Sequence, residues 1–146
     1  MTADERDRLV KAIAAKVIAA VGPGAPVLRV PVGVSGRHVH LSAGDAAALF
    51  GREASLAPLR PLKQPGQFAA QETLTVIGPR SVIPAVRVVG PLRSRSVVEM
   101  SSGDLSVLGY EGRWGAGQPV DVTLAGPAGV VRLPAAGMIS PRHLHI

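Results

Sequence analysis

The apolar residues of the chain change their spacing near residue 22. Before that point they recur every three or four residues, as in an amphipathic helix, at Leu9, Val10, Ile13, Val17 and Val21. Thr2 and Glu5 have the spacing of a capping box. The pattern predicts a helix over residues 2–21, within an N-terminal segment 1–21, followed by a Gly/Pro linker at residues 22–26. Such a helix either packs on its own domain or docks on another protein, and composition does not decide between the two.

Beyond the linker, the apolar residues form short runs that end in turns. Three of the runs are followed directly by Gly-Pro, and the full set lies at residues 73–77, 86–89, 96–100, 122–125 and 129–133. Short strands that turn sharply at similar corners are typical of a small barrel. Ser42 and Gly51 have the positions of the cap and the end of a short helix over residues 43–50. The pattern therefore predicts a mainly β fold, with small antiparallel β-barrels and short capping helices.

Composition narrows the classes of function. The 146 residues include 17 Gly and 13 Pro, which disfavours a helical bundle, and no Cys, which excludes disulfides, thiolate metal sites and a cysteine nucleophile. The net charge is +6, but the arginines are scattered and only four residues are aromatic, which argues against nucleic-acid binding. No stretch has the length of a membrane span, and no secretory leader is visible. We therefore expect no nucleic-acid or membrane partner and a cytoplasmic location.

All the histidines of the chain lie in two Arg-His-x-His motifs. His38 and His40 form the first pair, and His143 and His145 form the second. In an extended segment, residues two apart face the same side, so each pair can present two imidazoles to one ion. Imidazole binds zinc at neutral pH. Two such pairs, which use the whole histidine content, favour a metal role over ordinary surface histidines.

Two histidines do not complete a zinc site, and carboxylates are the remaining candidate ligands. Glu99 lies in an apolar strand, where an unpaired carboxylate is costly, and Glu72 is a weaker candidate at a strand start. Either residue would also fit a solvent-facing position on a strand. Arg93 and Arg95 are candidates for binding phosphate, although an exposed basic edge strand is the better explanation of their spacing alone.

Several motifs, taken in order, are similar to those of one protein family. They lie at residues 32–35, 37–42 (RHVHLS), 62–70 (LKQPGQFAA), 72–73, 86–91, 98–99 and 142–145 (RHLH). Through them, residues 29–146 resemble the phosphate propanoyltransferase family, the phosphotransacylases of propanediol-type bacterial microcompartments. The resemblance implies reversible conversion of acyl-CoA (propanoyl-CoA) and phosphate to acyl phosphate and CoA. It also implies paired small barrels, two divalent metal ions, usually zinc, and coenzyme A as substrate or product.

The resemblance assigns roles that spacing could not. It implies that His38, His40 and Glu99 bind one metal ion. It implies that His143 and His145 bind the other, and that Arg93 holds the phosphate as the catalytic and substrate-binding residue. Two interpretations of other classes stay open at this point: a catalytically incomplete β-barrel interaction module of a microcompartment, and a metallohydrolase.

The same resemblance implies an organisation of the chain. Residues 27–36 would be a strand of a first barrel, incomplete here, residues 37–140 a second barrel, and residues 141–146 the start of the return to the first. Family members continue beyond the second His-x-His motif, so we expect this chain to lack the C-terminal part and one metal ligand. Residues 1–21 resemble an encapsulation peptide. This implies shell or cargo proteins as partners inside a bacterial microcompartment, with homo-oligomerisation left open.

Overall fold

The computed structural model describes residues 2–22, 33–34, 36–51, 55–112, 117–140 and 144–145. The chain divides into two compact units, Met1–Pro31 and Val32–Ile146. The first unit contains α1 (Ala3–Val21), which confirms the helix predicted from the apolar spacing. Its capping box is present, because the Thr2 hydroxyl accepts from the Glu5 N–H at 3.2 Å and the Glu5 carboxylate accepts from the Thr2 N–H at 2.6 Å.

The second unit is built from nine strands and two helices in the part of the chain that the structure describes. In chain order they are β1 (Gly33–Val34), β2 (His38–His40), α2 (Ala43–Phe50), β3 (Pro58–Pro61), β4 (Phe68–Ile77), β5 (Val82–Gly90), β6 (Val97–Met100), α3 (Ser102–Leu108), β7 (Pro119–Ala125), β8 (Val130–Ile139) and β9 (Leu144–His145). Strands pair in the order β4-β5-β2-β6-β8-β7, and β7 pairs back with β4. This closes a six-stranded barrel, with β3 added on β4, and confirms the mainly β fold with short helices.

The barrel is mixed, so the expectation of a wholly antiparallel barrel is corrected. β2 runs parallel to β5, and β6 runs parallel to β8. Parallel neighbours need a long connection between them. Here a helix and the first strand of a hairpin supply it: α2 and β4 separate β2 from β5, and α3 and β7 separate β6 from β8.

This arrangement repeats one unit twice, and that repeat was not predicted. Each half is a short strand, a capped helix and a long hairpin, and the two short strands pair antiparallel at Val39 and Val98. Residues 39–45 (VHLSAGD) correspond to residues 98–104 (VEMSSGD). Each hairpin corner rests on the end of the other half's helix: Ala128 N–H donates to Leu49 C=O at 2.9 Å, and Arg80 N–H donates to Leu108 C=O at 3.1 Å. The halves are therefore interlocked.

Apolar side chains from both halves fill the barrel and cover its ends. Val39 and Val98, which pair across the repeat, are fully buried. The other largest buried side chains are mainly leucines from the strands and helices: Leu41, Leu49, Leu74, Leu105, Leu108 and Leu124. The core is thus aliphatic, as the low aromatic content requires. Val39 of β2 and Val98 of β6 point into this core. The residues directly before and after each of these two valines therefore face away from it.

Sequence patterns placed the helix Ala43–Phe50 correctly but missed two elements. The helix α3 has only seven residues and a polar start, which leaves too little periodicity to recognise. The strand β3 is exposed and bounded by Pro58 and Pro61, as an edge strand can be. The long strands also extend past the predicted runs, since polar residues such as Gln71 interrupt the apolar pattern without ending β4.

A separate pair of strands lies outside the barrel sheet. β1 and β9 pair antiparallel, with Gly33 opposite His145 and Val34 opposite Leu144. Most of the predicted segments 27–36 and 141–146 lies outside the described residues, so their assignment to a further barrel stays a prediction. Among the helices in the described ranges, none is both long and apolar enough to cross a membrane.

Candidate metal centre

Two neighbouring strands bring three potential metal ligands together. His38 and His40 lie two apart on β2 and so face the same side, away from the core residue Val39. The antiparallel register places His38 directly opposite Glu99 on β6. One imidazole nitrogen of each histidine and one carboxylate oxygen lie within 4.8 Å of one another. We call His38, His40 and Glu99 the ligand triad.

Backbone hydrogen bonds set the tautomer of both imidazoles. His38 Nδ1 lies 2.8 Å from the carbonyl oxygen of Gly36, and His40 Nδ1 lies 3.1 Å from that of Val89. A carbonyl oxygen can only accept, so Nδ1 carries the hydrogen in each ring and Nε2 of the neutral ring has a free lone pair. The two Nε2 atoms nevertheless lie only 3.1 Å apart. Facing lone pairs at this distance repel each other, and a shared cation would remove the repulsion.

The spacing of the donor atoms suits a small divalent cation. His38 Nε2 lies 3.1 Å from His40 Nε2 and 3.7 Å from the Glu99 carboxylate. Ligands at 2.0–2.1 Å from a tetrahedral zinc ion are ~3.3 Å from one another. Nitrogen and carboxylate oxygen are ligands that zinc accepts, and the Nδ1 hydrogen bonds are the outer contacts that metal-bound histidines usually make. The triad therefore suits a zinc-like ion in donor type and tautomer, and two of its three donor spacings are close to the tetrahedral value.

The environment keeps His40 neutral. His40 is 2% exposed. This burial is the largest of the causes that together lower its pKa to about 4; His38 and the positive charge of Arg93 act in the same direction, and the hydrogen bond to Val89 opposes them. A neutral imidazole is the form that binds a metal ion, so His40 is ready to bind one at neutral pH.

The structure places the residues that spacing left as alternatives in different surroundings. Arg93 lies between β5 and β6 in the chain and next to the end of β2 in space, where its N–H donates to Leu41 C=O at 2.8 Å. Its charge acts on His40. Arg95 instead lines a different cavity. Glu72 accepts two hydrogen bonds from Ala57 N–H, both at 3.1 Å, and is not part of the triad.

The second predicted pair of ligands cannot be placed in the same way. His143 lies outside the described residues. For His145 the structure describes the backbone in β9 and not the side chain. Their role as ligands of a second metal ion therefore stays a prediction.

A basic cleft opens beside His38. Its volume is about 240 Å³, and it is lined by Gly36, Arg37, His38, Arg60, Leu62, Gln64, Gln67, Ala69, Arg87 and Val89. Three of these residues are arginines, and none of the described lining residues is a carboxylate. The Arg87 guanidinium is held in place by the carbonyl oxygens of Ala70 and Gln71, at 3.0 and 2.8 Å. The cleft is therefore suited to an anionic ligand that reaches the triad.

An ion pair next to the triad was not predicted from the sequence. Arg37, which precedes His38, binds the Asp104 carboxylate at 2.7 Å. Burial alone would raise the pKa of Asp104, but hydrogen bonds from Ser101 and the charge of Arg37 outweigh it and hold the pKa below its usual value. The signal in the sequence was the Ser101-x-x-Asp104 spacing, which is a capping pattern that repeats Ser42-x-x-Asp45.

The chain is similar in sequence to several phosphate propanoyltransferases. The chain is 44% identical to the phosphate propanoyltransferase of Rhodobacter capsulatus over 144 residues, which cover 96% of this chain and 66% of the relative. It is 41% identical to that of Thermotoga maritima over 125 residues, which cover 79% of this chain and 57% of the relative. It is 36% identical to that of Rhodopseudomonas palustris over 159 residues, which cover 98% of this chain and 70% of the relative. The chain thus spans 57–70% of the length of these relatives.

The family description agrees with these pairwise matches. The phosphate propanoyltransferase profile matches residues 31–146, which include both His-x-His motifs and every strand of the barrel. A match over this much of the chain shows that the protein belongs to the phosphate propanoyltransferase family.

Proposed function

We propose that the protein is a metal-dependent phosphate acyltransferase, which interconverts acyl-CoA plus phosphate and acyl phosphate plus CoA, with propanoyl-CoA as the acyl donor. The observation that carries the proposal is the convergence of two Nε2 lone pairs and the Glu99 carboxylate beside a basic cleft. Family membership supports the reaction class.

The proposed chemistry needs no nucleophile from the protein. An oxygen of hydrogen phosphate forms a bond to the thioester carbonyl carbon, and the bond from that carbon to sulfur breaks. The proton of hydrogen phosphate passes to the sulfur, so the products are acyl phosphate and CoA thiol. His38, His40 and Glu99 would hold a zinc ion, which supplies Lewis-acid polarisation of the carbonyl when bound. We propose a second divalent ion at His143 and His145.

In this proposal Arg93 binds the attacking phosphate. Its side chain is exposed, so the guanidinium is free to meet a soluble anion, while its backbone is fixed on Leu41 next to the triad. A guanidinium can hold two phosphate oxygens at once and leave a third to attack. Arg60 and Arg87 of the basic cleft would bind the phosphates of CoA.

An assay of phosphate-dependent CoA release tests the proposal. Purified protein with zinc is given propanoyl-CoA, and free thiol is measured with and without phosphate. We expect His38→Ala to abolish turnover and Arg93→Ala to raise the KM for phosphate at least tenfold. Arg95→Ala is the matched control and should change that KM less than twofold.

Three results would contradict the proposal. One is thiol release that does not depend on phosphate, which would indicate a thioester hydrolase. Another is full activity of both His38→Ala and Arg93→Ala. The third is zinc-loaded protein without any transacylase activity, which would favour the catalytically incomplete interaction module.

We also propose that α1 docks on shell or cargo proteins of a bacterial microcompartment in the bacterial cytoplasm. The apolar residues of the helix recur every three or four positions, as at Ile13, Val17 and Val21, and so form one face. Ile13→Asp places a charge on this apolar face, and Ala15→Asp places the same charge on the other face. Co-sedimentation with shell protein should be lost for the first variant and kept for the second. Equal co-sedimentation of both variants would refute this assignment.

A further inference from the structure

The two halves of the barrel have an aspartate at the equivalent position, Asp45 and Asp104, but its contacts differ between them. In the first half, the Asp45 carboxylate accepts from the Ser42 hydroxyl at 2.8 Å and from the Ser96 hydroxyl at 2.5 Å. In the second half, the Asp104 carboxylate accepts from the Ser101 N–H and hydroxyl, both at 2.9 Å. Where the first half has Ser96, the second has Arg37, which contacts the other oxygen of Asp104 at 2.7 Å. A charged pair therefore replaces a neutral contact in one half only.

Helix capping does not explain the arginine. Both helices begin with a serine cap whose oxygen accepts from the aspartate N–H at 3.2 Å, so the cap is complete without a cation. Burying a carboxylate with a charged partner carries a desolvation cost that their attraction does not always repay. The Asp104 side chain is 5% exposed, whereas that of Arg37 is 41% exposed. A role of the pair beyond the helix cap would account for this difference between the halves.

The segment next to Arg37 carries a ligand of the proposed metal ion. In this segment the Gly36 carbonyl accepts from the ring of His38 at 2.8 Å. That bond orients the imidazole and leaves its Nε2 free. Arg37 lies between the two residues, and its guanidinium ties the segment to Asp104 on α3.

The same aspartate also fixes the other strand of the centre. Its carboxylate holds the N–H of Ser101, which lies two residues after Glu99. Arg37, Glu99 and Asp104 line one small cavity together. A single buried carboxylate thus connects the side chain of the residue before His38 with the backbone two residues after Glu99.

We infer that Asp104 is a positioning residue of the metal centre, which acts through Arg37 to hold the His38 imidazole against Glu99. The inference rests on the proposed function, because it concerns the same ligand triad. Asp104 itself does not bind the ion. Outer contacts of this kind typically change metal affinity by about 10- to 100-fold when they are removed.

Cobalt titration of the full chain tests the inference without an activity assay. Co²⁺ is added to metal-free protein, and its visible absorption bands report both affinity and coordination. We expect Asp104→Asn and Arg37→Gln each to weaken Co²⁺ binding by at least tenfold. Asp45→Asn removes the equivalent cap carboxylate from the other half and should leave the affinity within twofold. Because Asp104 acts through Arg37, the double variant should be no weaker than the weaker single variant.

Each outcome decides between the two proposals. Equal Co²⁺ affinity in Asp104→Asn and Asp45→Asn would overturn the positioning role and leave the metal centre standing. If Asp104→Asn does not fold, the partly exposed Arg37→Gln carries the test, and wild-type affinity in that variant overturns the inference. If the unaltered protein binds no Co²⁺, the metal centre of the proposed function fails, and the positioning role fails with it.

Discussion

Lowering the pH is expected to destabilise the metal-free protein, because the fold holds His40 in a form that resists protonation. In the unfolded chain the pKa of His40 has its usual value of 6.5, whereas burial lowers the pKa to about 4 in the folded protein. Between these values the unfolded state binds more protons than the folded state. The free energy of unfolding must therefore fall as the pH drops from about 6.5 to about 4. Above about pH 6.5 the contribution of His40 is fully present.

The size of the effect follows from the separation of the two pKa values. Each pH unit is worth about 1.4 kcal/mol, so the interval from 6.5 to about 4 corresponds to ~3 kcal/mol. A loss of this size is a large fraction of the stability of a typical domain. A bound metal ion should oppose it, since the ion binds the folded state with neutral histidines and adds its binding free energy to stability.

Urea denaturation of metal-free protein at several pH values between about 7.5 and 4.5 measures the effect. The control is His40→Asn, whose amide can still donate to Val89 C=O but does not titrate in this range. We expect the variant to have a much flatter pH dependence, whatever its stability at neutral pH. The reasoning is refuted if the unaltered protein keeps its full stability at pH 4.5, or if His40→Asn shows the same slope.

Three further predictions concern the fold. Gly126→Ala should destabilise the fold by at least 1–3 kcal/mol in thermal or urea unfolding, because the added Cβ would overlap the carbonyl oxygen of Leu49. Gly44→Ala is the control: its Cβ meets open space on α2, so the variant should be neutral or more stable by up to about 1 kcal/mol. Leu105→Ala should lower the free energy of unfolding by about 2–5 kcal/mol, because this side chain is fully buried in the core. A loss of less than about 1 kcal/mol would contradict its place there. Thr2→Ala removes one half of the capping box and should destabilise the helix by about 1 kcal/mol. Circular dichroism of a peptide with the sequence of residues 1–21 should then show less helix, and unchanged helicity would contradict the cap.

Local structure was predictable wherever the determining contacts are close in sequence. The helix α1 and the helix Ala43–Phe50 begin at residues whose side chains cap them three positions later, so both starts were readable. The His-x-His spacing likewise placed two imidazoles on one side of a strand, because alternate residues of any strand share a face. The strand corners at Gly-Pro were visible for the same reason. These features depend on backbone geometry over a few residues.

The sequence by itself therefore determined the mainly β fold class, two of the capped helices and the placement of two imidazoles on one side of a strand. Only the tertiary structure showed which carboxylate lies beside that pair, since spacing left both open and Glu99 was favoured chiefly by the family resemblance. The register of β2 against β6 sets Glu99 opposite His38, while Glu72 binds the Ala57 N–H. The contact of Asp104 with Arg37 was beyond prediction for the same reason, since it joins residues far apart in the chain. Strand register and barrel closure are set by packing of the whole core, which no local pattern contains.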